Sequence, residues 1–160
     1  MTESLSKHER NLASAIHGST LSRFFIPFGQ FLLPLVLWLS NRKQHAFVDY
    51  HGKQALNFQI SMFLYSFLVG IISIPFFLGS LPRLLDNGIL RWDEMHNFES
   101  FHLDIGTGLF EVPFFWWPLG IGGLLGVGLY VANIVYTILA TIRTNEGQYF
   151  KYPLTIKFIR

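Results

Sequence analysis

Few residues of this chain have types and spacings that chemistry requires, and they fall into two groups. The first is His96 and His102, which lie beside Glu94, Glu99 and Asp104. Imidazole nitrogens and carboxylate oxygens together make a donor set for a divalent metal. Their spacing matches no standard site, so a solvated acidic loop is the better reading and no metal is assigned. The second group is Asp49, His51, Lys53, Asn57 and Gln59. On a helix, Lys53 and Asn57 stand four apart and share a face, and the ordinary imidazole of His51 titrates near neutral pH. Two readings compete here. One is a helix cap at Asp49, headgroup contacts for His51 and Lys53, and an interhelical amide bond. The other is a surface that touches a partner or substrate, because polar groups at membrane depth are costly and often functional. Asn133 has the same two readings, and pairing with Asn57 or Gln30 is the simplest. His17 reads as a packed or interfacial histidine. No phosphate-binding loop, dinucleotide fingerprint, G-x-S-x-G or H-E-x-x-H pattern is present. The chain is therefore not read as an enzyme, and no catalytic residue and no cofactor are assigned.

The elements that must position these residues are apolar. Residues 56–78 are 23 residues without a charge and follow the polar group directly. At about 1.5 Å rise per residue such a run crosses a hydrocarbon core of roughly 30 Å. Residues 119–142 are a second uncharged run, of 24 residues, behind Trp116, Trp117 and Pro118. Within it Gly122 and Gly126 have the G-x-x-x-G spacing that lets helix backbones approach closely, with Asn133 near the same face. Residues 24–39 are apolar but short and contain Pro27, Gly29 and Pro34. They predict a turn near Pro27–Gly29 and a kink near Pro34, with Trp38 placed like an interfacial aromatic. Ahead of them, Ser6 and Glu9 form a capping-box pattern, and Leu5, Leu12 and Ile16 share a helical face with Ala13 beside them. Ser14, His17, Ser19, Thr20 and Ser22 make this segment semi-polar, either an interfacial helix or a short span packed through small residues. Residues 79–111 hold six acids and only two basic residues. In the tail, Phe150, Tyr152, Leu154, Ile156 and Phe158 occupy every second position, which predicts a short interfacial strand or extended anchor.

Composition agrees with lipid as the surrounding. Of 160 residues, 51% are hydrophobic and 14% charged, against about 25% charged in an ordinary soluble domain. The net charge of +2 is too small to suggest nucleic acid. The absence of cysteine excludes disulfides and thiolate metal sites. Residues 1–10 are polar and lead into no cleavage-type apolar core, so no cleavable signal is expected. We see no repeats, no low-complexity tract and no second domain. Three spans follow from hydropathy, and charge bears on a fourth. With three, the twelve basic residues divide five against seven across the membrane. If the N-terminal segment also crosses, they divide nine against three. The positive-inside rule prefers the larger asymmetry. The expectation is thus an all-α, polytopic membrane bundle in one domain, with helices near 6–25, 28–39, 54–78 and 113–142. A loop at 79–111 lies outside, the tail at 143–160 is interfacial, and both termini are cytoplasmic.

Four stretches in this order, ERNLASAIH, FFIPFGQFLLPLVLWL, FVDYHGKQALNFQISMFLY and GQYFKYPLTIKFI, resemble a bacterial membrane family of unassigned function. That family is described as similar to the Tic-type channel subunit of the chloroplast inner envelope and includes MamF-like magnetosome membrane proteins. The resemblance covers nearly the whole chain, and HGKQALNFQ with the closing YP carries most of it. It implies a small multi-pass helical protein of the bacterial inner membrane and supplies no catalytic residue. The expected function is a non-enzymatic subunit whose partners are the lipid bilayer and other membrane proteins or a second copy. Such partners would meet the glycine face of 119–142 and the polar group at 49–59. A channel or translocation component is the alternative, and a metal-handling protein using the loop histidines is a third.

Overall fold

The computed structural model describes residues 5–43, 45–86 and 117–160. Of the expected loop at 79–111, residues 79–86 are helical instead, and the rest, with His96 and His102, lies outside the described residues. The described chain is helical, in the order α1 (Lys7–Ser19), a 3₁₀ turn (Thr20–Phe24), α2 (Gly29–Asn41), α3 (Ala46–Asp86) and α4 (Trp117–Asn145).

Helix α1 starts where the capping box predicts. The Glu9 amide donates to Ser6 Oγ at 3.2 Å, and the Ser6 amide donates to the Glu9 carboxylate at 2.8 Å. The Ser6 amide and hydroxyl hold the Glu9 carboxyl below its ordinary range. Ala13 and Ile16 are fully buried, and Leu5 and Leu12 pack against the same cluster, as their helical spacing requires. The predicted turn is also present. Phe28 takes a left-handed conformation, φ 59°, and opens α2. Gly29 approaches the preceding turn so closely that a Cβ there would lie 2.6 Å from Ser22 Oγ and 2.9 Å from Ser22 backbone. Pro34 is buried inside α2.

Two expectations about spans change. Helix α2 was expected to be a third secure span, but it has 13 residues, about 20 Å of helix against a core of roughly 30 Å. Helix α1 has the same length. Among the described residues two helices are long and apolar enough to cross a membrane, Ala46–Pro75 and Gly120–Asn145. Only 39% and 17% of their apolar windows are buried by the rest of the described chain, where the core helix of a water-soluble fold is mostly enclosed. Helix α3 also begins earlier than the apolar run, at Ala46. Asp49 therefore sits inside the first turn instead of capping it, where a carboxylate still complements the helix dipole.

The chain divides into two compact units, Met1–Tyr65 with Gly128–Arg160, and Ser66–Val127. The first holds α1, α2, the start of α3, the end of α4 and the tail. Its core has two clusters, one around Ala13, Ile16, Trp38, Phe47 and Val48, the other around Phe58, Met62, Ala140 and Tyr152. In the second, Gly122 lies against Ser73, whose side chain a Cβ on Gly122 would overlap. The tail is not a strand: residues 148–160 contain none. Its alternation has a different cause. Tyr152 is buried and stacks on Phe58 at 4.0 Å between ring centroids, while Leu154, Ile156 and Phe158 face outward.

Candidate functional site: a buried polar cluster

The polar group that the sequence singles out lies at the start of α3, and α1, α2, α4 and the tail close around it. At its rim, Lys53 Nζ is 2.6 Å from Asp49 Oδ2, one turn apart. Asp49 Oδ1 accepts from the indole N–H of Trp38 at 2.9 Å. Trp38 is not an interfacial anchor. It is 5% exposed and lies on Gly52, where a Cβ would overlap its ring. The Arg42 guanidinium covers the ring at 5.1 Å. The D-x-x-G-K spacing therefore builds one packing device: Gly52 admits the indole, Asp49 binds its nitrogen, and Lys53 neutralises Asp49.

Deeper in, His51 is fully enclosed and does not sit among headgroups. Its Nδ1 lies 2.9 Å from His17 Nε2 and 3.2 Å from Thr144 Oγ1. His17 Nδ1 in turn lies 2.9 Å from the Tyr152 hydroxyl. One proton lies between the two rings: whichever ring donates, the other accepts. Burial pushes the Tyr152 phenol up, so it stays an O–H group, and Thr137 stands beside it. Phe47, Tyr50 and Tyr149 surround the His51 ring at 4.4, 5.2 and 5.9 Å. His51 Nε2 has no partner of hydrogen-bond geometry, although the Gln148 backbone lies near the ring. The cluster thus joins α1, α3, α4 and the tail through side chains 34 to 135 residues apart.

The amides behave differently from the pairing expected. Asn133 donates to Gln59 Oε1 at 3.1 Å, not to Asn57 or Gln30. Asn57 serves the tail. Its Oδ1 accepts from the amides of Phe158 and Ile159 at 3.0 and 2.8 Å, and its Nδ2 donates to the Ile159 carbonyl at 2.9 Å. One turn on, Ser61 Oγ accepts from the Ile156 amide at 2.9 Å, and after another turn the Tyr65 hydroxyl donates to the Leu154 carbonyl at 2.9 Å. Residues 57, 61 and 65 recur every four positions and make a polar stripe along α3. The stripe supplies the hydrogen bonds that a neighbouring strand would otherwise give to an extended chain.

The cluster's chemistry is that of fastening. Its two imidazoles meet edge-on at 87° and are joined through one nitrogen of each, and no group of three or more His, Asp or Glu able to hold a metal occurs among the described residues. Of the sequence candidates, Asp49, His51, Lys53 and Asn57 gather with partners around the start of α3. Gln59 and Asn133 pair with each other two residues beyond Asn57 along α3. Gly122 packs within the second unit, and Gly126 has open space where a side chain would stand. His17, Trp38, Thr144 and Tyr152 could not be read from the sequence as members of one cluster, because no local spacing links them.

A family model described as the magnetosome magnetite crystal formation protein family (MamF/MmsF) matches residues 8–159. This chain belongs to that family. The match runs from the first turn of α1 to the tail, so it includes the whole cluster. Comparisons with curated proteins and with solved structures gave no match. The MamF-like half of the resemblance is upheld, and the Tic-type half finds no support. In MamF/MmsF terms, the HGKQALNFQ stretch of this chain is the piece of α3 that clamps the N-terminal hairpin on one side and the tail on the other.

Proposed function

We propose that the protein is a non-enzymatic integral membrane component of the magnetosome, acting in magnetite crystal formation by holding other membrane proteins. The family description supports the setting. The observation that carries the role is that the polar residues near the start of α3 are engaged in binding the chain to itself. The Asp49–Trp38, His51–His17, Asn57–tail and Gln59–Asn133 contacts tie these side chains to other parts of the chain, and only the outer nitrogens of His51 and Gln59 in this group are buried without a partner. What the protein offers outward is apolar helix, with Leu124, Val127 and Ile72 each more than half exposed. The channel alternative rested on the Tic-type resemblance and loses that ground. Deleting the gene in a magnetite-forming host tests the proposal: crystals altered in size or number are expected, with the protein in the magnetosome membrane fraction. Unchanged crystals contradict it.

A second reading is favoured by one sequence feature. Residues 79–111 carry six acids with His96 and His102, oxygen and nitrogen donors suited to iron ions. On this reading the segment meets the mineral or its precursor ions. Replacing the six acids by their amides then alters crystal shape while leaving protein abundance unchanged, and unaltered crystals remove the reading.

A further inference from the structure

We infer that α1, the 3₁₀ turn and α2 form a re-entrant hairpin. It enters and leaves the membrane on one face, and its turn at 24–28 packs against lipid acyl chains near the bilayer midplane. The chain then crosses twice, not three or four times. The inference rests on the membrane reading above, and three observations carry it.

The first is depth. Helix α1 runs antiparallel to the end of α4. Gly147 meets Arg10, Ser14 binds the Thr141 carbonyl, and Thr20 meets Thr137. At the tip, Phe24 and Arg23 meet the Tyr130 ring at 6.4 and 5.4 Å. Tyr130 stands at the middle of the uncharged run 119–142. Likewise Phe31, at the start of α2, meets Phe63 at 6.0 Å, well before α3's span ends at Pro75. The tip thus lies 13 residues from Arg143 and 10 from Lys53, about 15–20 Å below that charged rim at helical rise. That is about half of a hydrocarbon core of roughly 30 Å. Were the tip at the far headgroups instead, the apolar residues of α3 and α4 beyond it would stand in water.

The second is the turn's surface. Phe24, Phe25, Ile26 and Phe28 are all exposed, Phe25 at 87%, where a turn in water carries polar residues. The third is the turn's backbone, since lipid offers no hydrogen bonds to an irregular segment. The amides of Phe25 and Ile26 donate to Ser22, that of Gly29 to Ile26, and those of Phe31 and Leu32 to Phe28, at 2.9–3.2 Å. Pro27 has no N–H to satisfy. An arginine at this depth is costly, and the Tyr130 ring beneath the Arg23 guanidinium compensates part of that. The hairpin keeps Lys7, Arg10, Arg42 and Lys43 on the face that also carries Arg143, Lys151, Lys157 and Arg160. The charge asymmetry that favours an even number of crossings is therefore retained.

The chain has no cysteine, so single-cysteine variants test this directly. Lys7→Cys, Phe25→Cys, Ile26→Cys, Lys43→Cys, Ser100→Cys and Lys157→Cys are exposed to a membrane-impermeant maleimide in right-side-out and in inverted vesicles. The expected result is labelling of Lys7→Cys, Lys43→Cys and Lys157→Cys from one side and of Ser100→Cys from the other. Phe25→Cys and Ile26→Cys should label from neither side until detergent denaturation. Labelling of the two tip variants from the Ser100→Cys side overturns the inference in favour of a crossing hairpin. Lys7→Cys and Lys43→Cys on opposite sides overturns it in favour of α2 as a lone span. Labelling of all six in both preparations, with protein in the soluble fraction, refutes the membrane reading itself and is distinct from either outcome.

Discussion

At the scale of single residues, the MamF/MmsF cluster is held by a few side chains with more than one partner each. Asn57 makes three hydrogen bonds to the tail. Each contributes about 1 kcal/mol net, and leaving buried amides unpaired costs more. Asn57→Leu should therefore lower unfolding free energy in detergent by about 3 kcal/mol, read by circular dichroism against denaturant. Asn57→Asp, which keeps the acceptor for both amides, should lose less. If the two variants match the parent, the tail is not held there. Gly52 presents the opposite case, a residue defined by what it lacks. Gly52→Ala drives a methyl into the Trp38 indole and should cost roughly 1–3 kcal/mol as overpacking does. Trp38→Leu in the same chain should restore part of that loss. A double variant no better than the sum of the two singles would show that the indole and the glycine do not act as a pair. His17 and Trp38 demonstrate why such pairs stay hidden in a sequence. Each is unremarkable in its own segment, and only the tertiary fold brings it to α3.

At the scale of elements, local signals were legible and long-range ones were not. Ser6 and Glu9 predict the start of α1 because capping acts within one turn. Pro27 and Gly29 predict the hairpin turn because their backbones favour it. The apolar run 56–78 predicts a long helix, but α3 starts at Ala46, since helical geometry tolerates the polar residues Asp49, His51 and Lys53 once their side chains have partners. The apolar run 24–39, read as a helix at 28–39, located α2 to within two residues but overstated it as a span, because apolarity reports lipid and does not report crossing. The alternation in the tail suggested a short strand or an extended anchor; no strand forms, and the tail's partner is the stripe Asn57, Ser61 and Tyr65 on a helix. A truncation compares the two kinds of element. Ser6→Ala should cost about 1 kcal/mol and leave the fold intact. Removal of residues 149–160 takes away Tyr152 and exposes Phe58, both in one core cluster, and strips His17 of its phenol partner. The truncated chain should lose its cooperative unfolding transition. A truncated protein melting within a few degrees of the parent would reassign the tail to a loose anchor.

At the scale of the whole molecule, the parts agree on one environment. Two helices with the length to cross a membrane are mostly uncovered by their own chain. Polar side chains near the start of α3 turn inward to each other, and the N-terminal hairpin turns a phenylalanine-rich tip outward. In water this arrangement would expose its apolar side and bury its polar one, against the gradient that drives folding. In a bilayer both choices are favourable. The family description concerns magnetite crystal formation in the magnetosome, and the role proposed above rests on side chains that bind the chain to itself. The most direct measurement is extraction of native membranes with strongly alkaline carbonate followed by ultracentrifugation. The protein is predicted to stay in the pellet and to enter solution only with detergent; its appearance in the carbonate supernatant would contradict the account.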